Sequence, residues 1–146
     1  MTPLPIVWQR LVAENGKTCP RCDGTFQQIE RAIATLRESL RPLGIDPVLE
    51  IKEIGDETFR ENPSESNRIW IGGRPLEDWL GATSGSSQCC SVCGDLPCRT
   101  TELGGTVYEE VPQELILRAG LMAASQALHA SPPSCDCAAP SACCAG

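Results

Sequence analysis

Residues 18–44 run Thr18-Cys-Pro-Arg-Cys-Asp-Gly-Thr25 and then Phe26-Gln-Gln-Ile-Glu-Arg-Ala-Ile-Ala-Thr-Leu-Arg-Glu-Ser-Leu-Arg-Pro-Leu-Gly44. In the second part Phe26, Ile29, Ile33, Leu36, Leu40 and Leu43 recur at steps of 3, 4, 3, 4 and 3. That spacing lays one apolar stripe along a helix and turns it toward a core. Thr25, with Gln28 three residues on, forms a capping box and places the helix start near Thr25. Pro42 and Gly44 stop the helix. Upstream, residues 5–13 are rich in apolar and β-branched side chains and read as a buried strand. A turn at Asn15-Gly16 separates strand from helix. A strand, a Cys-x-x-Cys turn and an amphipathic helix in succession open an α/β unit.

Outward from this stretch, residues 47–54 read as a second strand and 67–71 as a third. Residues 56–66 are polar and suit a short helix or loop. Gly72-Gly73-Arg74-Pro75 is a turn signal. Leu76–Leu80 forms a short helical turn that packs Leu76, Trp79 and Leu80, and Trp70 and Trp79 belong to the core. Glu77-Asp78 and Glu109-Glu110 read as solvated faces. Residues 81–88 are Gly/Ser-rich and loop-like. Thr106–Val111 alternates as an exposed strand, and Pro112 opens a last helix with Leu115, Ile116, Ala119, Met122 and Ala123 on one face. His129, at its end, complements the helix dipole. Beyond about residue 130 the composition shifts to Ala, Ser, Pro and Cys, which cannot bury enough surface to order itself. The expected organisation is an α/β domain over 1–128, with a Cys-rich loop at 82–104 and a flexible Cys-rich tail at 129–146.

The chain has 146 residues, with Lys+Arg 12 against Asp+Glu 19 and a formal net charge of −7. The arginines are scattered, so no basic stripe exists for nucleic acid. No apolar run approaches the roughly 20 residues of a membrane-spanning helix. With His129 the only imidazole, a Ser-His-Asp triad or a His-rich metal site is nearly excluded. The N-terminal residues lack the basic and apolar regions of a signal peptide, which places the protein in the cytoplasm. There, cysteine pairs bind metal or do redox work more often than they form structural disulfides.

Ten cysteines are the outlying feature, and they fall into three groups. Cys19 and Cys22 sit between a strand and a helix. At such a helix start, unpaired backbone N–H groups stabilise thiolate over thiol. Arg21 adds positive charge, and Cys22 is placed to resolve a mixed disulfide formed on Cys19. The same Cys-Pro-x-Cys-x-Gly pattern also suits a zinc knuckle, with Cys90-x-x-Cys93-Gly94 as its partner. An inert pair or a simple disulfide is the third reading.

Here the chain resembles the thioredoxin-like superfamily. Ile69-Trp-Ile-Gly-Gly-Arg-Pro-Leu76 is similar to the strand-and-turn segment of glutaredoxins. Thr18-Cys-x-Arg-Cys-x-x-Thr25, Ser66-Asn-Arg-Ile, Gly73-Arg-Pro-Leu-Glu-Asp-Trp-Leu80 and Cys98-Arg-Thr together resemble a bacterial thioredoxin-like family of unknown function, over roughly residues 5–125. The resemblance implies a thioredoxin-like sandwich and thiol chemistry, not a substrate. Ser66-Asn67 stand where thioredoxins and glutaredoxins carry a proline facing the Cys-x-x-Cys motif.

Cys89, Cys90, Cys93 and Cys98 lie within ten residues. Four thiolates in one loop suffice for a tetrahedral soft-metal site, with Zn–S distances of about 2.3 Å. The vicinal Cys89-Cys90 pair suits chelation of Hg(II), As(III) or Cu(I). Structural zinc, labile soft-metal binding and a redox relay to Cys19/Cys22 are the three readings of this cluster. Its topology places it near the Cys-x-x-Cys motif. Cys135, Cys137, Cys143 and Cys144 make a metallothionein-like tail, in which tethering raises the local thiolate concentration; a frayed terminus is its bland alternative.

The resulting expectation is a thiol protein that binds and transfers soft metals or metalloids (Zn, Hg, As or Cu). Its partners are those ions and a thiol reductant or metal-handling protein. The alternative is a thiol-disulfide oxidoreductase of the thioredoxin or glutaredoxin type, with Cys19 and Cys22 catalytic and a structural zinc elsewhere.

Overall fold

Along residues 3–8 the buried side chains Leu4, Ile6 and Trp8 alternate with exposed or half-buried neighbours, the pattern of a strand with one face on a core. The computed structural model describes residues 1–12, 16, 19–88 and 96–129. It begins with this strand, β1 (Thr2–Leu11), followed by α1 (Pro20–Leu40) and a 3-10 turn at Arg41–Leu43. Next come β2 (Ile45–Ile54), α2 (Asp56–Glu61), a second 3-10 turn at Pro63–Glu65, β3 (Arg68–Ile71), β4 (Arg74–Pro75) and α3 (Leu76–Leu80). The remaining elements are β5 (Thr83–Ser87), β6 (Cys98–Leu103), β7 (Thr106–Tyr108) and α4 (Gln113–His129). The protein is therefore mixed α/β, as its strand and helix alternation requires.

The described strands form two sheets, ordered β2-β1-β3-β4 and β5-β6-β7. β1 pairs β2 in parallel across the α1 crossover and β3 antiparallel. Register sets the core. Ile6 lies opposite Ile71, and Trp8 opposite Ile69. On the parallel side Leu4 faces Pro47 and Ile6 faces Leu49. These side chains share one face, and Phe26 of α1 stacks on Trp8 with ring centroids 5.1 Å apart. Gly72 and Gly73 both take positive φ, 59° and 82°, in the two-residue turn between β3 and β4. Glycine takes both angles at no steric cost.

Several expectations change in detail. Helix α1 starts at Pro20, with Cys19 as its N-cap, and not near Thr25. Proline at the first helical position is pre-set for that start. The Thr25–Gln28 pair is thus no capping box. Thr25 Oγ1 accepts from the Val111 backbone N–H, and Gln28 Oε1 accepts from that of Gln113, at the start of α4. Leu43 falls past the helix end and is 51% exposed. Residues 83–87, expected as loop, pair with β6 as an edge strand. Their serines and glycine hide a strand whose partner supplies the burial. The strand expected over Thr106–Val111 spans only Thr106–Tyr108. Trp70 is half-buried, under the Arg68 guanidinium, rather than in the core. In α4 the inward face is built of Leu115, Ile116, Ala119, Gly120, Ala123 and Ala124. Close approach to α1 selects the small residues, so Met122 turns outward and is 43% exposed.

Candidate functional site

Cys19, Cys22 and Cys98 come together in the interior. Cys19 is 0% exposed, and Cys22 and Cys98 are each 2% exposed. Cys19 takes extended backbone angles at the N-cap of α1, and its carbonyl accepts from the Asp23 N–H at 3.0 Å to close the first helical turn. Cys22 lies inside that turn. Cys98 is the first residue of β6, and its Sγ is 4.0 Å from the Cys19 Sγ. The sequence groups Cys98 with Cys89, Cys90 and Cys93 and expects that cluster near the Cys-x-x-Cys motif; for Cys98, its one described member, the fold does set it there.

Arg21 has a task that the sequence does not disclose. It is buried, and its Nη1 donates to the carbonyl oxygens of Ser87, Cys98 and Arg99 while Nη2 donates to that of Gln88. The guanidinium of α1 thereby holds the end of β5 and the start of β6. Glu109, mostly exposed, approaches Nη2 at 3.5 Å. Solvent screens that pair, and the carbonyl fan does most of the fixing.

Two further polar links brace the site. Arg99 Nη2 meets Glu77 Oε1 at 2.8 Å, with both side chains buried, and Arg99 Nη1 donates to the Ser64 carbonyl at 2.8 Å. Glu77 therefore belongs to the interior and not to a solvated face. A charge is tolerated there because its partner is bonded at close range. Asn67, with φ +55°, accepts from Trp8 Nε1 and donates from Nδ2 to Thr25 Oγ1, both at 3.0 Å. Asn67 thereby ties β1 to α1 one turn beyond Cys22. Sequence reasoning missed Asn67, Glu77 and Arg99 as site supports. A short polar residue standing at a proline position was the one signal that could have found Asn67.

Of the other expected ligands, Cys89, Cys90, Cys93, Cys135, Cys137, Cys143 and Cys144 lie outside the described residues. Among the described residues, no group of three or more His, Cys, Asp or Glu side chains is arranged to hold a metal ion, and no helix is long and apolar enough to cross a membrane.

No solved structure matches the chain. A protein of Archaeoglobus fulgidus, described as uncharacterized, is 43% identical over 113 residues, covering 77% of this chain and 82% of the relative. Residues 4–120 match the model of the domain of unknown function DUF2703. That span takes in both sheets, the three described cysteines and the first part of α4, and the chain belongs to this family.

Proposed function

We propose that the chain is a dithiol protein of thioredoxin-like architecture in which Cys19 and Cys22 carry thiol-disulfide exchange. One observation carries this reading: Cys19 caps a 21-residue helix and Cys22 lies in its first turn. Backbone N–H groups at that position favour the thiolate, the nucleophilic form; because Cys19 is fully buried, exchange requires the start of α1 to open locally and admit the substrate disulfide. Support for the architecture comes from the first sheet, where a parallel β1-α1-β2 unit and an antiparallel β3-β4 hairpin share the order β2-β1-β3-β4. The glutaredoxin-like segment falls on β3, its turn and β4. In the reaction the Cys19 thiolate attacks one sulfur of a substrate disulfide, and the other sulfur leaves as a thiolate that takes a proton from water. Cys22 then attacks Cys19 Sγ, releases the second thiol and leaves a Cys19–Cys22 disulfide. A cytoplasmic thiol reductant would return the pair to the dithiol.

The test is turnover of a small-molecule disulfide, coupled to a thiol reductant, by the full chain. Cys19→Ser is expected to abolish turnover. Full turnover by that variant overturns the reading.

A second reading, capture of Zn, Hg, As or Cu by cysteine thiolates, is favoured by the 4.0 Å approach of Cys98 Sγ to Cys19 Sγ. The sulfur-rich segment at 89–98 thus ends beside the Cys-x-x-Cys motif. Soft ions prefer such thiolate surroundings, and the tail cysteines would feed ions to them. Native mass spectrometry of the anaerobically reduced protein with Hg(II) or As(III) reads stoichiometry directly. Loss of binding when Cys89, Cys90, Cys93 and Cys98 become Ser is expected, and unchanged affinity overturns this reading.

A further inference from the structure

We infer that Cys98 is a second resolving thiol for Cys19, so that oxidation of the site by a disulfide also yields a Cys19–Cys98 cross-link between the start of α1 and the start of β6. This rests on the proposal that Cys19 is the attacking thiol. It adds a product that the Cys-x-x-Cys motif alone does not supply.

Three observations converge. The two Sγ atoms are 4.0 Å apart in the buried interior, while their residues are 79 positions apart in the chain. Arg21, the residue next to Cys22 within the motif, donates to the Cys98 carbonyl at 3.2 Å and to that of Arg99 at 3.4 Å. The backbone of Cys98 is therefore fixed by the same turn that presents Cys19. Cys98 also opens β6, whose next three residues are all buried, so its approach belongs to a packed strand. Bond formation requires the sulfurs to close to about 2.05 Å, a movement on the scale of a side-chain rotation with a small backbone adjustment.

A disulfide RSSR is attacked by the Cys19 thiolate, giving a Cys19–SR mixed disulfide and one RSH. The Cys98 thiolate then attacks Cys19 Sγ, the bond to SR breaks, and the second RSH leaves with a proton from water. The substrate gains two electrons, and Cys19 and Cys98 lose them. Unlike the Cys19–Cys22 bond, this product ties together two distant elements and closes a long loop. The oxidised protein is expected to melt about 10 °C higher than the reduced one.

The experiment uses the full chain, reduced anaerobically, treated with limiting glutathione disulfide, acid-quenched, alkylated and mapped by mass spectrometry. Trypsin cuts after Arg21, so Cys19 and Cys22 pairings fall on different peptides, and fragmentation separates Cys98 from Cys89, Cys90 and Cys93. In Cys22→Ser, a Cys19–Cys98 peptide and release of two glutathiones per chain are expected. A persistent glutathione adduct on Cys19, or a bond from Cys19 to another cysteine, overturns the inference. The unsubstituted chain, mapped across graded glutathione buffers, gives the same answer without a variant: a Cys19–Cys98 peptide beside Cys19–Cys22 supports it, and its absence overturns it. If only this inference fails, the Cys19–Cys22 peptide and turnover remain. If Cys19 stays unreacted throughout, the dithiol reading fails with it.

Discussion

Arg21 stands between Cys19 and Cys22 in sequence, yet its guanidinium serves Cys98, whose carbonyl oxygen lies 3.2 Å from Nη1. The Cys-x-x-Cys turn thus carries its own anchor to the second sheet. Removing that side chain takes this donor from the buried carbonyls of Cys98 and Arg99 and from the half-buried carbonyls of Ser87 and Gln88. Hydrogen bonds to a charged group contribute about 1.5–3 kcal/mol each in net terms, and here several share one guanidinium. Arg21→Ala is expected to lower stability by about 3 kcal/mol under reducing conditions, measured by urea unfolding. Arg21→Lys recovers only part of that, because an ammonium cannot fork across several carbonyls. A loss below about 0.5 kcal/mol for Arg21→Ala would show that the fan does not hold the sheets.

Glu77 and Arg99 join α3 to β6 through a buried pair at 2.8 Å. Truncating one partner strands the other charge, at a cost of about 3–5 kcal/mol. Glu77→Ala and Arg99→Ala should each show that loss in thermal or urea unfolding. The double variant should lose clearly less than the sum of the two, with a coupling of about 1–3 kcal/mol. Additive losses would mean that the two side chains act independently.

Gly120 faces Leu36 across the α1–α4 contact, and a Cβ built there would lie 2.6 Å from Leu36 Cδ1 and 3.0 Å from Cδ2. Leu36 is fully buried and has little room to withdraw. Helix propensity alone favours Gly120→Ala by about 1 kcal/mol, while overpacking costs about 1–3 kcal/mol. The expected result is a net loss of about 1 kcal/mol, read from the urea midpoint at constant slope. A gain in stability would show that the two helices separate at little cost.

Asn67 combines a left-handed backbone, φ +55°, with two buried side-chain hydrogen bonds. Asn67→Gly removes the bonds but keeps the backbone free to adopt that angle, whereas Asn67→Ala adds a steric cost of about 1–2 kcal/mol. Both should be destabilised, with the alanine variant lower than the glycine one by about 1 kcal/mol. Equal stabilities would remove the backbone angle from the account. Near-ultraviolet circular dichroism should also report the loss of the Trp8 contact.

Local signals in the sequence reached as far as periodicity reaches. The stripe from Ile29 to Leu40, the strands around Ile6 and Ile69, the turn at Gly72-Gly73 and the short helix at Leu76–Leu80 are all visible because each depends on neighbours within a few positions. The α/β class followed from their order. Helix termini were less legible. Thr25 and Gln28 match a capping pattern but spend their side chains on the start of α4, a contact between residues some 85 apart.

The amino-acid sequence by itself determined that sulfur is gathered in three groups on an acidic α/β chain, and that one pair sits between a strand and a helix. Only the tertiary structure decided which atoms meet: Cys98 Sγ against Cys19 Sγ, the Arg21 guanidinium on carbonyls at the end of β5 and the start of β6, and Glu77 buried with Arg99. The physical reason is that spacing along a chain fixes faces and turns. Which faces meet depends on sheet register and on how closely helices can approach, and both are settled by side chains far away in sequence.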